Sequence, residues 1–386
     1  MSVISKQYQL SDIDVKVNTI DTMEALKTTW LNLQIRSHSN AFLSWSWIES
    51  FCAIQPNEYL ILTAEYNDKI VGIGILHIKH VVLFKIFKIK QAYLNRFGQQ
   101  DLDQIWIEYN DFMVEKVNAS IIKEAMLNFV FKYRVADEFI IGMTNEQSLQ
   151  PYSLVNYNVR YMMESPGYLA SLAHCSSLDD YLKTLSRNTR SQINRTHKLL
   201  KEQGDIQLTE ALSTDQKHSF LKHTSEIHKQ RWNHSTYGSG FNNQHFVDFH
   251  QRLINDVPEQ NVTKIFELRL NNEVLGFIYL LVQKDKWLFY LSALNYHPDK
   301  RVKIGLLFHS MLIEKAINEG ISNYDFLAGE AQYKQSMTNT PPYVQSLACY
   351  YNDKYILHFV QGLRKVKSLI DLHILPHIFS TKTIST

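Results

Sequence analysis

Cysteine, proline and glycine are all scarce in this chain. The three cysteines, Cys52, Cys175 and Cys349, are odd in number and far apart, which excludes a disulfide framework and a zinc site built on C-x-x-C pairs. Eight prolines and 13 glycines among 386 residues exclude a collagen-like or loop-dominated chain. Charge of one sign is lacking too: 40 Lys+Arg stand against 38 Asp+Glu, so the net +2 gives no whole-chain field for nucleic acid, and any basic site must be local. Long apolar runs are also missing. The most apolar stretch, Ile70 to Lys90, is broken by His77, Lys79, His80, Lys85 and Lys88, short of the roughly 18 uninterrupted residues a spanning helix needs. The N-terminus has early acids and no apolar core of the kind a secretory signal carries. The expectation is a cytoplasmic protein in a reducing compartment.

What is present is ample core material, 45% hydrophobic and 12% aromatic residues, over a length that implies two domains. Two hairpins support that count. LILTAEYNDKIVGIGILHI reads as two strands about a turn at Asn67, Asp68 and Lys69. IFELRLNNEVLGFIYLLV repeats the pattern, with Asn271, Asn272 and Glu273 at the turn and Gly276 in the place of Gly72, an offset of 204 residues. Each half then continues with a helix and a strand: Ala119 to Lys132 and Glu138 to Met143 in the first, Gly305 to Asn318 and Asn323 to Gly329 in the second. Turn-rich sequence between Asn145 and Pro166 marks the boundary, giving domains at 1–160 and 166–354. A C-terminal piece, 355–386, opens with an amphipathic helix from Tyr355 to Ile370, suited to packing on the second domain or to docking on an inner membrane face or biosynthetic partner.

The segment from Lys286 to Lys334 carries the most chemistry. It reads as a strand, a loop with Lys300, Arg301 and Lys303, a helix opening at Ile304, Gly305 and Leu306, and a further strand. A helix start presents unpaired N–H groups and a positive dipole end, and neighbouring cations add charge-assisted contacts, so this is a device for holding phosphates. A basic surface turn before an amphipathic helix would look the same. A second basic stretch, the helix from Arg187 to Lys201, puts Arg187, Arg190 and Arg195 on a stripe that could grip a phosphorylated acceptor or simply face water. In HKQRW, His228 and Trp232 lie one helical turn apart, suited to stacking on a sugar or base, or to packing. Sixteen histidines raise the question of a metal. His218, His223 and His228 recur every fifth residue and diverge around a helix by ~140° per step, so no metal is expected.

Hairpin, strand, basic Gly-bearing loop, helix and strand, in that order, resembles the GNAT superfamily of acyl-CoA-dependent acyltransferases. The usual loop pattern, Gln/Arg-x-x-Gly-x-Gly/Ala, is met by Arg301 or Lys303 before Gly305, with Leu307 where the second small residue is expected. FLSWSWIESF, VGIGILHI, EYNDFM, SSLDDYLKTLSRNTRSQINRTHKLLKEQG, HKQRW and IGLLFHSMLIEKAINEGISNYDFLAGEAQYK together resemble a narrower group, the CelD/BcsL-like acetyltransferases of cellulose and exopolysaccharide biosynthesis, related to the double-domain FemAB-like transferases.

The resemblance implies an α/β protein of two tandem GNAT-like domains, each a mixed, mostly antiparallel sheet flanked by helices. The acyl-CoA site falls in the second, and the first is degenerate and shapes the acceptor side. Acetyl-CoA or another acyl-CoA would be the co-substrate, held through Arg301, Lys303, Ile304, Gly305 and Leu306. The thioester carbonyl would be polarised by a backbone N–H near Ser292, Ala293 and Leu294. Glu330 is the expected base and Tyr333 the expected acid, with Asp325 beside them. Lys334 joins Arg187, Arg190, Arg195, His228 and Trp232 as an acceptor-side residue. The acceptor would be an amine or hydroxyl on a sugar nucleotide or polysaccharide precursor, with no DNA involved. Two alternatives stay open: an aminoacyl-tRNA-dependent transferase of the FemAB-like kind, and a non-catalytic scaffold of a polysaccharide machine.

Overall fold

The computed structural model describes residues 8–18, 22–55, 59–83, 86–153, 157–232, 238–255, 262–351 and 362. The expected amphipathic helix from Tyr355 to Ile370 lies outside the described residues. The first half begins with β1 (Asp14–Asn18), α1 (Met23–Gln34) and α2 (Trp45–Cys52). Thr22 and Ser44 cap the two helices by accepting hydrogen bonds from backbone N–H groups of their first turns. Next come β2 (Leu60–Tyr66) and β3 (Lys69–Leu83), joined by Asn67 and Asp68 in left-handed conformations (φ 48° and 60°), the pair that a two-residue hairpin turn requires. The half closes with β4 (Phe87–Leu94), β5 (Met113–Val114), α3 (Ala119–Lys132), β6 (Glu138–Asn145) and α4 (Glu146–Ser153).

The second half repeats this order behind two added helices. After β7 (Asn158–Ser171) come α5 (Leu178–Thr184), α6 (Arg187–Lys201), β8 (Ile206–Glu210), α7 (Thr214–Trp232) and α8 (Gln244–Ile254). The hairpin of β9 (Thr263–Leu270) and β10 (Glu273–Gln283) leads to β11 (Lys286–Leu294), α9 (Ile304–Asn318), β12 (Asn323–Ala328), α10 (Gln332–Ser336) and β13 (Tyr343–Tyr351). The repeat extends to its irregularities. Register slips in β3 between Ile70 and Gly72 and in β10 between Val274 and Gly276, leaving Val71 and Leu275 as matching bulges.

Among the described residues all thirteen strands join in one sheet, ordered β1-β2-β3-β4-β6-β13-β7-β12-β11-β10-β9-β8, with β5 paired to β3. Only β4 with β6 and β11 with β12 run parallel. The centre of the sheet is an exchange. β7, which follows the first half in sequence, pairs with β12 of the second; β13, which follows the second, pairs with β6 of the first; and β7 and β13 pair with each other. The stretch between Asn145 and Pro166, which reads as a linker, is therefore α4 and the start of a central strand. The chain folds as two tandem GNAT-like halves, as the sequence led us to expect, but they are interlocked rather than strung in line.

Alternating strand residues build different cores on the two faces. On one face each half has its own: strand residues Leu62 and Leu76 against Met126 and Val130 of α3, and Ile278 and Trp287 against Phe308 and Leu312 of α9. On the other, a single cluster runs across both halves, where Trp30, Trp47, Ile73, Phe249 and Tyr279 pack together. The edge-on contact of Trp47 with Phe249, 4.7 Å between ring centroids, joins α2 to α8. No helix among the described residues is long and apolar enough to cross a membrane.

Candidate active site

Each parallel strand pair is short, and beyond it the strands part. β11 and β12 pair only from Lys286 opposite Asn323 to Leu288 opposite Asp325, although β11 continues to Leu294 and β12 to Ala328. In the first half, β4 and β6 pair only over Gln91 to Tyr93. The two resulting wedges differ. In β11 the ladder with β10 breaks between Tyr279 and Leu280, which face Leu291 and Phe289, so Tyr290 bulges and the backbone there leaves the ladder. β4 pairs with β3 without a break from Leu94 to Phe87. The bulge comes just before the expected carbonyl-polarising stretch, Ser292, Ala293 and Leu294, which is paired residue for residue with β10.

One loop of the first half enters both wedges. The amide of Asn110 donates to Leu94 O at 2.8 Å and Gly142 O at 3.1 Å, tying β4 to β6 and filling the wedge of the first half. Two residues earlier, Glu108 reaches the second-half wedge. Its carboxylate accepts from the Ala328 N–H at 2.9 Å and from the Gln345 amide at 2.8 Å. Burial pushes its carboxyl up to about 7, and the charge of Asp325 acts the same way, against the opposing pull of these hydrogen bonds and of Lys334. A buried carboxyl poised near neutrality can take and return a proton.

Asp325, fully buried, is the hub beneath. It accepts hydrogen bonds from the hydroxyls of Tyr109 and Tyr343 (2.8 Å for the latter) and from Leu327 N–H at 2.9 Å, and the Lys286 ammonium lies 3.7 Å away. Lys334, also buried, turns inward from α10, and its ammonium donates to Ala328 O at 2.7 Å. Burial lowers its pKa, while Glu108 and Asp325 act to raise it. Glu330 is exposed to solvent, and so is a different kind of group from Glu108. Tyr333 is half-buried, its ring stacked on His309 at 5.6 Å between centroids. Burial drives its hydroxyl well above the usual tyrosine range, so it holds its proton firmly.

At the start of α9, no side chain caps the helix, and the Lys303 N–H donates to Thr196 Oγ1 of α6 at 2.9 Å. The first-turn residues Ile304 and Leu306 are buried, and the position a Cβ would take at Gly305 lies 3.3 Å from Leu294, so the small residue there serves close packing of helix on strand. Arg301 forks onto Asp299 within its own loop, at 2.7 Å for the closest pair, which leaves Lys303 the less committed cation. On α6, Arg187 and Arg195 face solvent, whereas Arg190 donates to Lys183 O and Leu185 O and holds the end of α5. His228 packs inward with Nδ1 2.8 Å from Ser239 Oγ, and burial, aided by Arg231, lowers its pKa to about 4. Trp232 is exposed, and the Arg231 guanidinium lies between its ring (5.2 Å) and that of Tyr296 (4.8 Å).

The structure thus gathers Asp325, Tyr333 and Lys334 around one wedge and leaves Glu330 at its rim. Sequence reasoning missed Glu108, Tyr109, Asn110, Lys286, Tyr343 and Gln345. The available signal was EYND itself, four consecutive polar residues between IWI and FMV. Between the halves a cleft of about 460 Å³, lined by Asn40, Tyr109, Asp111, Lys123, Asn145 and Lys286 among others, touches this cluster at Tyr109 and Lys286. No group of His, Cys, Asp and Glu able to hold a metal occurs among the described residues.

Residues 187–335 match the family model described as an acetyltransferase (GNAT) domain, the stretch that holds β11, α9, β12 and α10. No curated protein matches the chain significantly. Among solved structures, the crystal structure of FemX superposes with TM-score 0.58 at 10% identity, over 90% of this chain and 99% of that one. The C-terminal domain of a putative lysylphosphatidylglycerol synthetase from Agrobacterium fabrum gives 0.54 at 8% identity, over 89% and 95%. L-PGS from Bacillus licheniformis gives 0.50 at 8%, over 88% and 96%. At these identities the likeness is one of fold. Residues 187–335 thus carry a match to a GNAT acetyltransferase domain, which in general implies acyl-CoA binding, and the double fold is a likeness of fold alone. Neither finding reaches as far as the CelD/BcsL-like group.

Proposed function

We propose that the second half transfers an acyl group from CoA, most simply acetyl, to an amine or hydroxyl of an acceptor held between the halves, and that the first half supplies the base. The observation that carries this reading is the wedge of β11 and β12, with the Tyr290 bulge on one side and Glu108 on the other. The thioester lies in the wedge with its carbonyl against the bulged backbone, whose N–H polarises it. Pantetheine runs toward the start of α9, where uncapped N–H groups and Lys303 receive the phosphates. The acceptor enters through the cleft at Tyr109 and Lys286, Glu108 takes its proton, and the departing thiolate is reprotonated. A sugar-nucleotide or envelope-polysaccharide precursor fits a polar cleft of this size.

A second reading keeps the site and changes the donor to an aminoacyl-tRNA. The observation that favours it is the solvent-facing pair Arg187 and Arg195 on α6, the helix that contacts the α9 loop through Thr196. Calorimetry separates the two. Acetyl-CoA binding that weakens at least tenfold in Lys303→Glu supports the CoA donor; no binding, or binding indifferent to that change, rules it out. Salt-sensitive tRNA binding lost in Arg187→Glu with Arg195→Glu would establish the second.

A further inference from the structure

The hairpin of β3 and β4 is longer than its place in the sheet requires. β2 pairs with β3 as far as Leu76, and β6 pairs with β4 from Gln91 to Tyr93. Beyond those points, among the described residues, the two strands pair only with each other, from His80 opposite Lys90 to Leu83 opposite Phe87. The second half has no such arm. With the 204-residue offset of the repeat, the end of β10 at Gln283 falls on Lys79, so His80 to Leu83 are an extension. One face of the arm is anchored, because Val81 and Ile89 pack on Tyr351, where β13 ends.

The other face is bare. Alternation along paired strands puts His80, Val82, Lys88 and Lys90 on it together, and all four are exposed, Val82 by 56%. Ile86, in the turn, is 74% exposed. From Lys69 to Gln100 the sequence carries cations, Lys79, Lys85, Lys88 and Lys90 among them, and no Asp or Glu. Asp137 meets the arm at its root, where it accepts from the Lys90 N–H at 2.9 Å. Lysines alone would serve to keep other strands from adding to the arm. Val82 and Ile86 beside them have no such use, and each loses free energy by standing in water. A stable protein interface buries about 800 Å² per partner, more than the outer turn of a two-stranded arm presents. A bilayer needs no such area: apolar side chains at a tip suit its acyl boundary, and the surrounding ammonium groups suit anionic headgroups. We infer that the arm is a membrane contact, with Val82 and Ile86 entering the interface of an anionic bilayer and Lys88 and Lys90 on its phosphates. The inference holds for either donor.

Vesicle flotation tests this on the full chain. The protein is expected to float with vesicles of mixed phosphatidylglycerol and phosphatidylcholine, and to stay behind with phosphatidylcholine alone. Each surface cation contributes about fivefold to affinity for an anionic surface, so Lys88→Glu with Lys90→Glu should weaken binding by about tenfold or more. Val82→Ser with Ile86→Ser leaves the charges in place and should weaken it by about tenfold as well. Lys116→Glu with Lys222→Glu makes the same charge change at exposed positions elsewhere, and should leave binding within about twofold. All these residues are exposed, and unchanged melting excludes misfolding as the cause. Absence of binding to the anionic vesicles overturns the inference. So does equal weakening by the control pair, which would reduce the attraction to net charge. Binding that survives in the arm variants and is lost on charge reversal at Arg364, Lys365 and Lys367 would overturn it in favour of the C-terminal stretch. A chain that ignores vesicles, sediments as a dimer and becomes monomeric in the arm variants would overturn it in favour of a second copy.

Discussion

The hydroxyl of Tyr109 donates a hydrogen bond to the carboxylate of Asp325, 216 residues further along the chain. The bond crosses between the halves and ends on a fully buried charge. The oxygens of Asp325 are occupied by Tyr109, Tyr343 and the Leu327 amide, with Lys286 close by, so the buried carboxylate has protein partners in place of water. Tyr109→Phe removes one partner and leaves the charge, and hydrogen bonds to buried charged groups contribute about 1.5–3 kcal/mol each. Urea unfolding of Y109F is expected to show a loss of that size. A midpoint unchanged within error would mean that this bond adds nothing to the strand exchange and the shared core that also join the halves.

Glu108 gives stability and activity opposite pH dependences. Its carboxyl is raised by burial from the ordinary 4.5 to about 7, so the folded state favours the protonated form. The stabilisation is fully present below about 4.5 and is lost as pH rises through 7. A base must be ionised, so kcat/KM should climb about tenfold per pH unit up to 7 and level off above it. Glu108→Gln is expected to flatten both curves and to lower kcat by 10²-fold or more. A rate that keeps its slope near 7 in E108Q would assign the proton transfer to another group.

Much of the fold was legible in the sequence because it is written in local patterns. The two hairpins with their Asn-rich turns, the helix at Ala119 and the strand–loop–helix from Lys286 all depend on neighbours in the chain. The exchange of β7 and β13 was not legible, because a strand's pattern shows which face it buries but not which strand lies beside it. The site divides the same way. Asp325, Tyr333 and Lys334 lie within one short segment that reads as chemistry. Glu108 and Tyr109 come from the other half, and nothing in the local sequence states that they meet Ala328 and Asp325. Arg301 was legible as a cation but not as a partner of Asp299, since a spacing of two residues permits that fork without requiring it.

Gly276 holds a position that no other residue fits. Its φ of 154° follows the Leu275 bulge, and a Cβ there would fall 2.6 Å from Ala293 O on β11. Gly276→Ala must therefore push β10 away from the strand that carries the candidate carbonyl-polarising bulge. The expected result is a loss of about 2 kcal/mol or more in stability, together with weaker acetyl-CoA binding. A variant as stable as the unsubstituted chain would show that β11 moves freely, which is incompatible with a preorganised wedge.

Asn110 predicts how many donors one chain binds. The first half retains the strand order, the parting of β4 and β6 and the helix α3, so on topology alone it would offer a second donor site. The Asn110 amide closes that wedge with its bonds to Leu94 and Gly142, while its own oxygen accepts from Asn95 Nδ2 at 2.9 Å. The first half also lacks a bulge in β4 to present a backbone N–H. Calorimetry should therefore give one acetyl-CoA per chain. Asn110→Ala breaks three buried hydrogen bonds and is expected to cost about 2–4 kcal/mol. It should not raise the stoichiometry, because β4 still runs without a bulge. A second equivalent bound by N110A would mean that the plug alone silences the first half, and the unbroken ladder of β4 would then need another explanation.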